Sequence, residues 1–174
     1  PRFLGIHVLP QFLIVEHYHS AGNEDGVLGR TGDISVPRDI VVVITILVQD
    51  SVFPVTEIRW DAAHRRLGLL LNRFRWEDNE KAKRQGRDVE RVQSLLIFEN
   101  VIKVASQGVD RAQTDMVLSV LSLNAQEANG AENVIITLAG NGAIRVTCEA
   151  IEVTLKDVTR PYLAPSKKTP WHPV

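Results

Sequence analysis

The sequence predicts a mainly β (α+β) protein, an antiparallel rolled sheet or small PH-like barrel with room for one packed helix. Several short segments alternate apolar and polar residues, as strands with one buried face do. Turn-forming residues separate these segments, most clearly at Gly140-Asn141-Gly142, where Asn and Gly tolerate the positive φ of a tight hairpin. The 174 residues, of which 44% are apolar, suffice for one domain with a sizeable core.

Composition divides the chain into three parts. Residues 1–36 contain a turn-rich stretch and form an N-terminal extension of uncertain order. Residues 37–160 form a single β-rich domain. Residues 161–174 form a proline-rich C-terminal tail, which we expect to lie extended over the surface.

The first segment of the domain, residues 39–50, is dense in β-branched residues such as Val41, Val42 and Ile44. Their stiff side chains suit a pleated surface, so local propensity favours a strand. Periodicity does not decide between strand and helix here, because a continuous apolar run fits either element when both of its faces are buried.

The middle of the chain predicts a hairpin. Residues 55–60 and 67–76 alternate on either side of a polar turn at residues 61–66. Residues 77–91 are charged almost throughout and predict a solvated loop or a short exposed helix.

The remaining strands follow in order. They are predicted at residues 92–104, 116–123, 134–138, 143–148 and 151–155. Residues 124–133 form a polar loop. The alternation slips at Glu149 and Ala150, which indicates a bulge or bend.

The charge balance argues against a nucleic-acid-binding protein. Lys and Arg number 20 against 21 Asp and Glu, whereas binding to phosphates normally requires a basic excess. The alternative is single-stranded nucleic-acid binding through residues 73–91, where arginines alternate with Phe74 and Trp76. Acidic residues in the same stretch neutralise that charge.

One constellation predicts a metal site. His17 and His19 have the spacing at which two imidazoles on a strand face the same way, and Glu24 follows. This spacing resembles the first metal motif of the cupin barrels, so a cupin-like metal-dependent enzyme is an alternative function. The chain departs from that pattern, because Gln11 replaces the expected glycine and His64 lacks the second motif's downstream asparagine.

Catalytic groups are otherwise missing from the sequence. There is no Gly-x-Ser-x-Gly motif, and Cys148 lies in an apolar strand, where a thiol is usually buried and inert. The sequence therefore predicts a non-enzymatic binding or scaffolding domain without a cofactor. A single cysteine favours a reducing compartment, so we expect a cytoplasmic location, and no apolar run is long enough to span a membrane.

The candidate binding residues are polar or aromatic side chains within apolar segments, where a polar group requires a partner. They are Gln49, Asp50, Asn72, Arg73, Trp76 and Arg145. The partner is an unknown protein or a small-molecule ligand, and the oligomeric state stays open. The structural alternative is that an Arg73–Asp50 pair, or Arg145 with a glutamate, holds strands together.

Residues 37–173 resemble the family catalogued as domain of unknown function 2948. The matching strings are QDSV at residues 49–52, LLNRFRWE at 70–77, GVDR at 108–111 and GNGAIRVTCEAIE at 140–152. The resemblance implies a cytoplasmic protein of bacteria, mainly of alphaproteobacteria, and carries no assigned activity. It also implies a helix at residues 39–50, against the strand that local propensity favours.

Overall fold

The structure, a computed structural model, describes residues 7–9, 12–14 and 36–164, with the side chains of residues 39–164. Within these residues the chain forms nine β-strands and two α-helices. In chain order they are β1 (His7–Leu9), β2 (Phe12–Ile14), α1 (Val36–Val48), β3 (Val52–Pro54), β4 (Ile58–Asp61), β5 (Arg66–Phe74), α2 (Asn79–Gln85), β6 (Arg91–Gln107), β7 (Val117–Ala128), β8 (Ala131–Leu138) and β9 (Gly142–Asp157). Single 3-10 turns lead into β4 and α2.

Six strands close into an antiparallel barrel, which confirms the predicted fold class. Around the barrel the order is β3, β5, β6, β9, β8 and β7, and β7 pairs again with β3. The closure depends on β3, whose Val52 pairs with Asn72 of β5 and with Ser119 of β7. Outside this ring, β4 joins β5, while β2 joins β9 and carries β1.

The two longest strands, β6 and β9, pair with each other along most of their length. The pairs Glu99–Glu152 and Val101–Cys148 are two residues apart on β6 but four apart on β9. The extra residues of β9 coincide with the slip predicted at Glu149 and Ala150, which confirms that prediction. An irregularity of this kind bends the strand, so β9 can follow the curvature of the barrel along its length.

The core consists of alternate residues of the strands, whose side chains point into the barrel interior. On β5 the side chains of Leu67, Leu69 and Leu71 are all fully buried. Leu96 and Phe98 of β6 are equally buried, and inward-facing residues of β8 and β9 complete the layer. The predicted alternation along these segments is therefore confirmed.

Residues 36–48 form the helix α1, so the strand that local propensity favours is wrong and the helix implied by the resemblance is confirmed. The exposed side chains Val42 and Ile46 are 60% and 58% accessible. Burial follows the helical period, with the buried positions at Ile40, Val41, Ile44 and Val48. Packing of this stripe on the barrel outweighs the β-propensity of the individual residues.

Helix α1 also covers an edge of the barrel. The hydroxyl of Thr45 lies 2.8 Å from the carbonyl oxygen of Leu123 on β7, and the Leu123 N–H donates back to it at 3.2 Å. After the helix ends, the Asp50 N–H donates to the carbonyl of Val120 at 3.0 Å. Backbone groups of β7 that would otherwise lie open are thereby satisfied.

Two turn predictions need correction. The polar segment 124–133 is not a loop, because β7 and β8 continue through it and turn only at Asn129 and Gly130, with φ of 55° and 74°. In the next hairpin the positive φ values fall on Gly140 and Asn141 (73° and 62°), while Gly142 already pairs with Leu138. Polar residues can continue a strand whose face is solvated, so polarity alone overestimated the loop.

The predicted domain boundaries stay predictions. The extension contributes β2, in which Phe12 pairs with Lys156 and Leu13 with Leu155. Tyr162, past the predicted end of the domain, forms an isolated bridge with Arg91. Within the described residues, no helix combines the length and the apolar character needed to cross a bilayer.

Candidate functional site

Five of the six predicted binding residues lie where α1 ends and β5 ends. The indole N–H of Trp76 donates to the carbonyl of Gln49 at 3.0 Å, and Asn72 pairs with Val52, two residues beyond Asp50. The sixth, Arg145, lies apart from them. It is exposed on β9, directly opposite residue 105 of β6.

Arg73 is buried in an ionic network within this cluster. Its guanidinium donates two hydrogen bonds of 2.8 Å to Glu77 and lies 3.0 Å from Asp157. Its Nε donates to the hydroxyl of Ser94 at 2.9 Å, and that hydroxyl donates to Asp157 at 2.6 Å. Burial acts to lower the pKa of Arg73, but hydrogen bonds to Glu77 and Asp157 raise it above its ordinary value.

The prediction that Arg73 pairs with Asp50 is therefore wrong, because its carboxylate partners are two other residues. The carboxylates come instead from Glu77, one turn beyond β5, and from Asp157 at the end of β9. Arg73 contributes to the packing of the barrel end, and every nitrogen of its guanidinium has an acceptor within the network.

A second ionic group extends the network over residues 73–91. The two terminal nitrogens of the Arg87 guanidinium lie 2.6 and 2.7 Å from the carboxylate oxygens of Asp78. The Arg75 guanidinium donates to the carboxylate of Glu90 at 2.8 Å. These pairs neutralise Arg75 and Arg87, two of the arginines on which single-stranded nucleic-acid binding would depend. Much of the charge that the sequence places in this segment is thus paired within the segment itself or with Asp157.

We expect Asp78 to make the stability of the protein depend on pH. The hydrogen bond from Arg87 holds the pKa of Asp78 below its ordinary value, so its stabilising effect is complete above about pH 4. It is lost as the pH falls through the lowered pKa of the folded protein. Asp78→Asn should lower the free energy of unfolding by about 1 kcal/mol at pH 7.

Urea unfolding of wild type and Asp78→Asn at pH 7 and at pH 2.5 measures this effect, and the difference should shrink at the lower pH. Glu80→Gln is the control, because Glu80 forms an exposed pair with Lys83 at 3.3 Å, in which both side chains are more than 60% exposed. Equal differences for Asp78→Asn at both pH values would contradict the assignment.

Groups suited to metal or nucleophilic chemistry are sparse in the described residues. No cluster of three or more His, Cys, Asp or Glu side chains there could hold a metal ion. His17, His19 and Glu24 lie outside the described residues, so the cupin-like alternative stays a prediction. Cys148 is buried, and burial raises the pKa of its thiol to about 11.

A groove lies at the other end of β5, where the strand begins and where the β4–β5 turn contacts β6. Its volume is about 470 Å³, within the range of small-ligand and side-chain pockets. Its lining combines apolar surface with one ion pair and consists of Trp60, Ala62, Arg65, Val101, Ile102 and Glu149. Ile102, on β6, is 55% exposed and offers apolar surface to the groove.

The groove is built by fastening the β4–β5 turn to a bulge in β6. The N–H of Val101 donates to the carbonyl of Arg65 at 2.8 Å. The Arg65 guanidinium donates to Glu149 at 2.6 Å and to the carbonyl of Asn100 at 3.3 Å. The register shift at Val101 turns Ile102 outward, since one extra residue reverses the facing of those that follow.

Beyond the bulge, the edge of β6 that faces away from β9 has no strand partner among the residues that the structure describes. The pairing of β5 with β6 stops at Leu67–Phe98, and in the described part of the chain residues 103–107 pair with β9 alone. Alternate residues of an antiparallel strand direct their N–H and C=O groups away from the partner. We call residues 103–107 the β6 edge. It begins one residue past the groove.

The sequence predictions missed this groove and its edge. The available signal was Asn100, a polar residue that interrupts the alternation of residues 92–104, followed by the adjacent apolar pair Val101 and Ile102. Asparagine tolerates positive φ, which Asn100 adopts here (55°), and such a residue interrupts a regular strand, which indicates a bulge.

Comparison with known proteins places the chain in one family. It belongs to the family described as protein of unknown function (DUF2948), whose model matches residues 35–172. No curated protein and no solved structure matches the chain. The site geometry is therefore the basis for a functional proposal.

Proposed function

We propose that this protein is a binding module that takes up an extended segment of a partner protein. The segment adds to the barrel as a strand along the β6 edge, and one of its apolar side chains enters the groove beside Ile102. The observation that carries the proposal is that residues 103–107, among the described residues, pair on one side only and directly adjoin a groove of about 470 Å³.

The contrast between two edges supports the proposal. The edge of β7 is covered by Thr45 of α1 and by Asp50, which follows the helix. The β6 edge has no such cover in the described residues. Natural sheets usually blunt or cover their edges, because an open row of N–H and C=O groups pairs with other chains. An edge that is left open is suited to controlled pairing.

The groove supplies the selectivity for side chains that backbone pairing alone lacks. Strand addition gives affinity through main-chain hydrogen bonds, and side-chain pockets give selectivity. The aromatic ring of Trp60 and the side chain of Ile102 offer apolar contact, and the paired charges of Arg65 and Glu149 border it. A ligand side chain that is aliphatic or aromatic fits this lining.

The proposal includes a cytoplasmic location. Its support is the lone free thiol of Cys148, which suits a reducing compartment. Cell fractionation with an antibody to the protein tests the location, and recovery in an extracytoplasmic fraction would contradict it.

Selection of random twelve-residue peptides displayed on phage tests the binding activity. Peptides selected on wild type should bind Ile102→Glu about tenfold more weakly, because a charge in the groove removes one buried apolar contact. On binding, alternate amides of residues 103–107 should become protected from hydrogen exchange.

Leu121→Glu is the matched control, since Leu121 is also an exposed aliphatic residue (44%) beside a register shift, but on β7. It should bind the selected peptides as wild type does. Failure to enrich any peptide would overturn the proposal. So would peptides that bind Ile102→Glu normally and leave the amides of residues 103–107 unprotected.

A further inference from the structure

Two cations lie side by side next to the β6 edge. Residues directly opposite each other on paired strands share a face, so Ala105 of β6 lies on the same face as Arg145 of β9. Lys103 lies two residues from Ala105 and shares that face too. The neighbouring pair, Val104 and Val146, points to the barrel interior, where Val146 is fully buried.

Both cations are available to a ligand. Lys103 and Arg145 are exposed, and within the described residues neither lies within 4.0 Å of a carboxylate. In the groove, by contrast, Arg65 is already neutralised by Glu149 at 2.6 Å. The outer face beside the β6 edge is therefore locally positive, although the chain as a whole carries a formal charge of −1.

The small side chain of Ala105 lets both cations reach an added strand. A strand paired to β6 would lie about 4.8 Å from it, which places its outward side chains next to Lys103. Arg145 is one strand further in, and only the methyl group of Ala105 lies between its long side chain and the new strand.

Resting on the proposed function, we propose that the bound segment is acidic on its outward face. Its side chains beside Lys103 and Arg145 are Asp or Glu residues that pair with these cations, and the apolar residue that enters the groove lies next to them on the same outward face, beside Ile102. Such charge complementarity fixes the register of the added strand and selects the partner. The same cations also disfavour pairing with a second copy of this chain.

Symmetry explains why these cations disfavour the pairing of two copies of this chain. Antiparallel pairing of two β6 edges with matched faces would place two copies of Lys103 and two of Arg145 on one surface. Like charges across neighbouring strands are destabilising. An acidic segment relieves this repulsion, whereas a second copy doubles it.

Two biased phage libraries test the proposal, with two positions that are two residues apart fixed as Glu in one library and as Lys in the other, and the remaining positions random. Wild type should enrich the Glu library. The charge-reversed variant Lys103→Glu/Arg145→Glu should bind the enriched Glu peptides about tenfold more weakly and should enrich the Lys library instead. Lys81→Glu, a charge reversal on α2, is the control and should keep the preference of wild type.

The outcomes separate the two proposals. Equal enrichment of both libraries on wild type, with amide protection at residues 103–107, would overturn the acidic preference and leave strand addition intact. Enrichment of neither library would overturn both. A free protein that sediments as a dimer and becomes monomeric on Ile102→Glu would assign the edge to a second copy and also overturn the acidic partner.

Discussion

Arg73→Met should lower the free energy of unfolding by about 3 kcal/mol, the largest electrostatic effect that we expect in this protein. Methionine preserves the length of the side chain, so the loss reports on the charge and its hydrogen bonds. The substitution leaves the carboxylates of Glu77 and Asp157 facing each other without their cation. Breaking a buried pair from one side typically costs about 3–5 kcal/mol, and the partial exposure of both acids lowers this value.

Arg66→Met on the same strand is the matched control. Arg66 pairs with Glu99 at 2.7 Å, but its side chain is 54% exposed, against 5% for Arg73. Water and salt screen exposed pairs, so urea unfolding should show a much smaller change for Arg66→Met than for Arg73→Met. Similar losses for the two variants would show that the buried network has no special importance.

Ile44→Ala should lower the free energy of unfolding by about 3 kcal/mol, while Ile46→Ala should change it by less than about 0.5 kcal/mol. The two positions carry the same residue and lie two apart in α1, but Ile44 is 1% exposed and Ile46 is 58% exposed. The first substitution leaves a cavity beneath the helix. The second removes a side chain that already contacts water, and alanine favours the helix.

This pair of variants also discriminates between helix and strand. On a strand, Ile44 and Ile46 would face the same side, and the two substitutions would have similar effects. Thermal and urea unfolding of both variants measures the difference. Equal destabilisation by Ile44→Ala and Ile46→Ala would contradict the helical burial of α1.

Local sequence signals predicted the features that depend on neighbouring residues. The β4–β5 and β8–β9 hairpins follow from alternation and turn chemistry, and the bend near Glu149 follows from a slip in the period. Helix α1 was different, because its β-branched residues favour a strand locally. Its helical form depends on the barrel surface that buries Ile44 and Val48.

The candidate site shows the same division. A charged residue within an apolar strand requires a partner, so the sequence could predict that Arg73 is paired. It could not predict Asp157, which lies 84 residues away and comes into place only when β9 packs beside β6. The extent of the β6 edge likewise depends on a separate element, because it is set by where the neighbouring strand, β5, ends.

The buried thiol of Cys148 makes site-specific fluorescent labelling of this protein practical. With a pKa of about 11, only about one molecule in ten thousand carries the reactive thiolate at pH 7. The sulfur is also enclosed by the core, so maleimide dyes react with it very slowly. A cysteine introduced at an exposed position such as Gln107 can therefore carry a fluorophore in the otherwise native chain, and encounters at that end of the barrel can be followed optically.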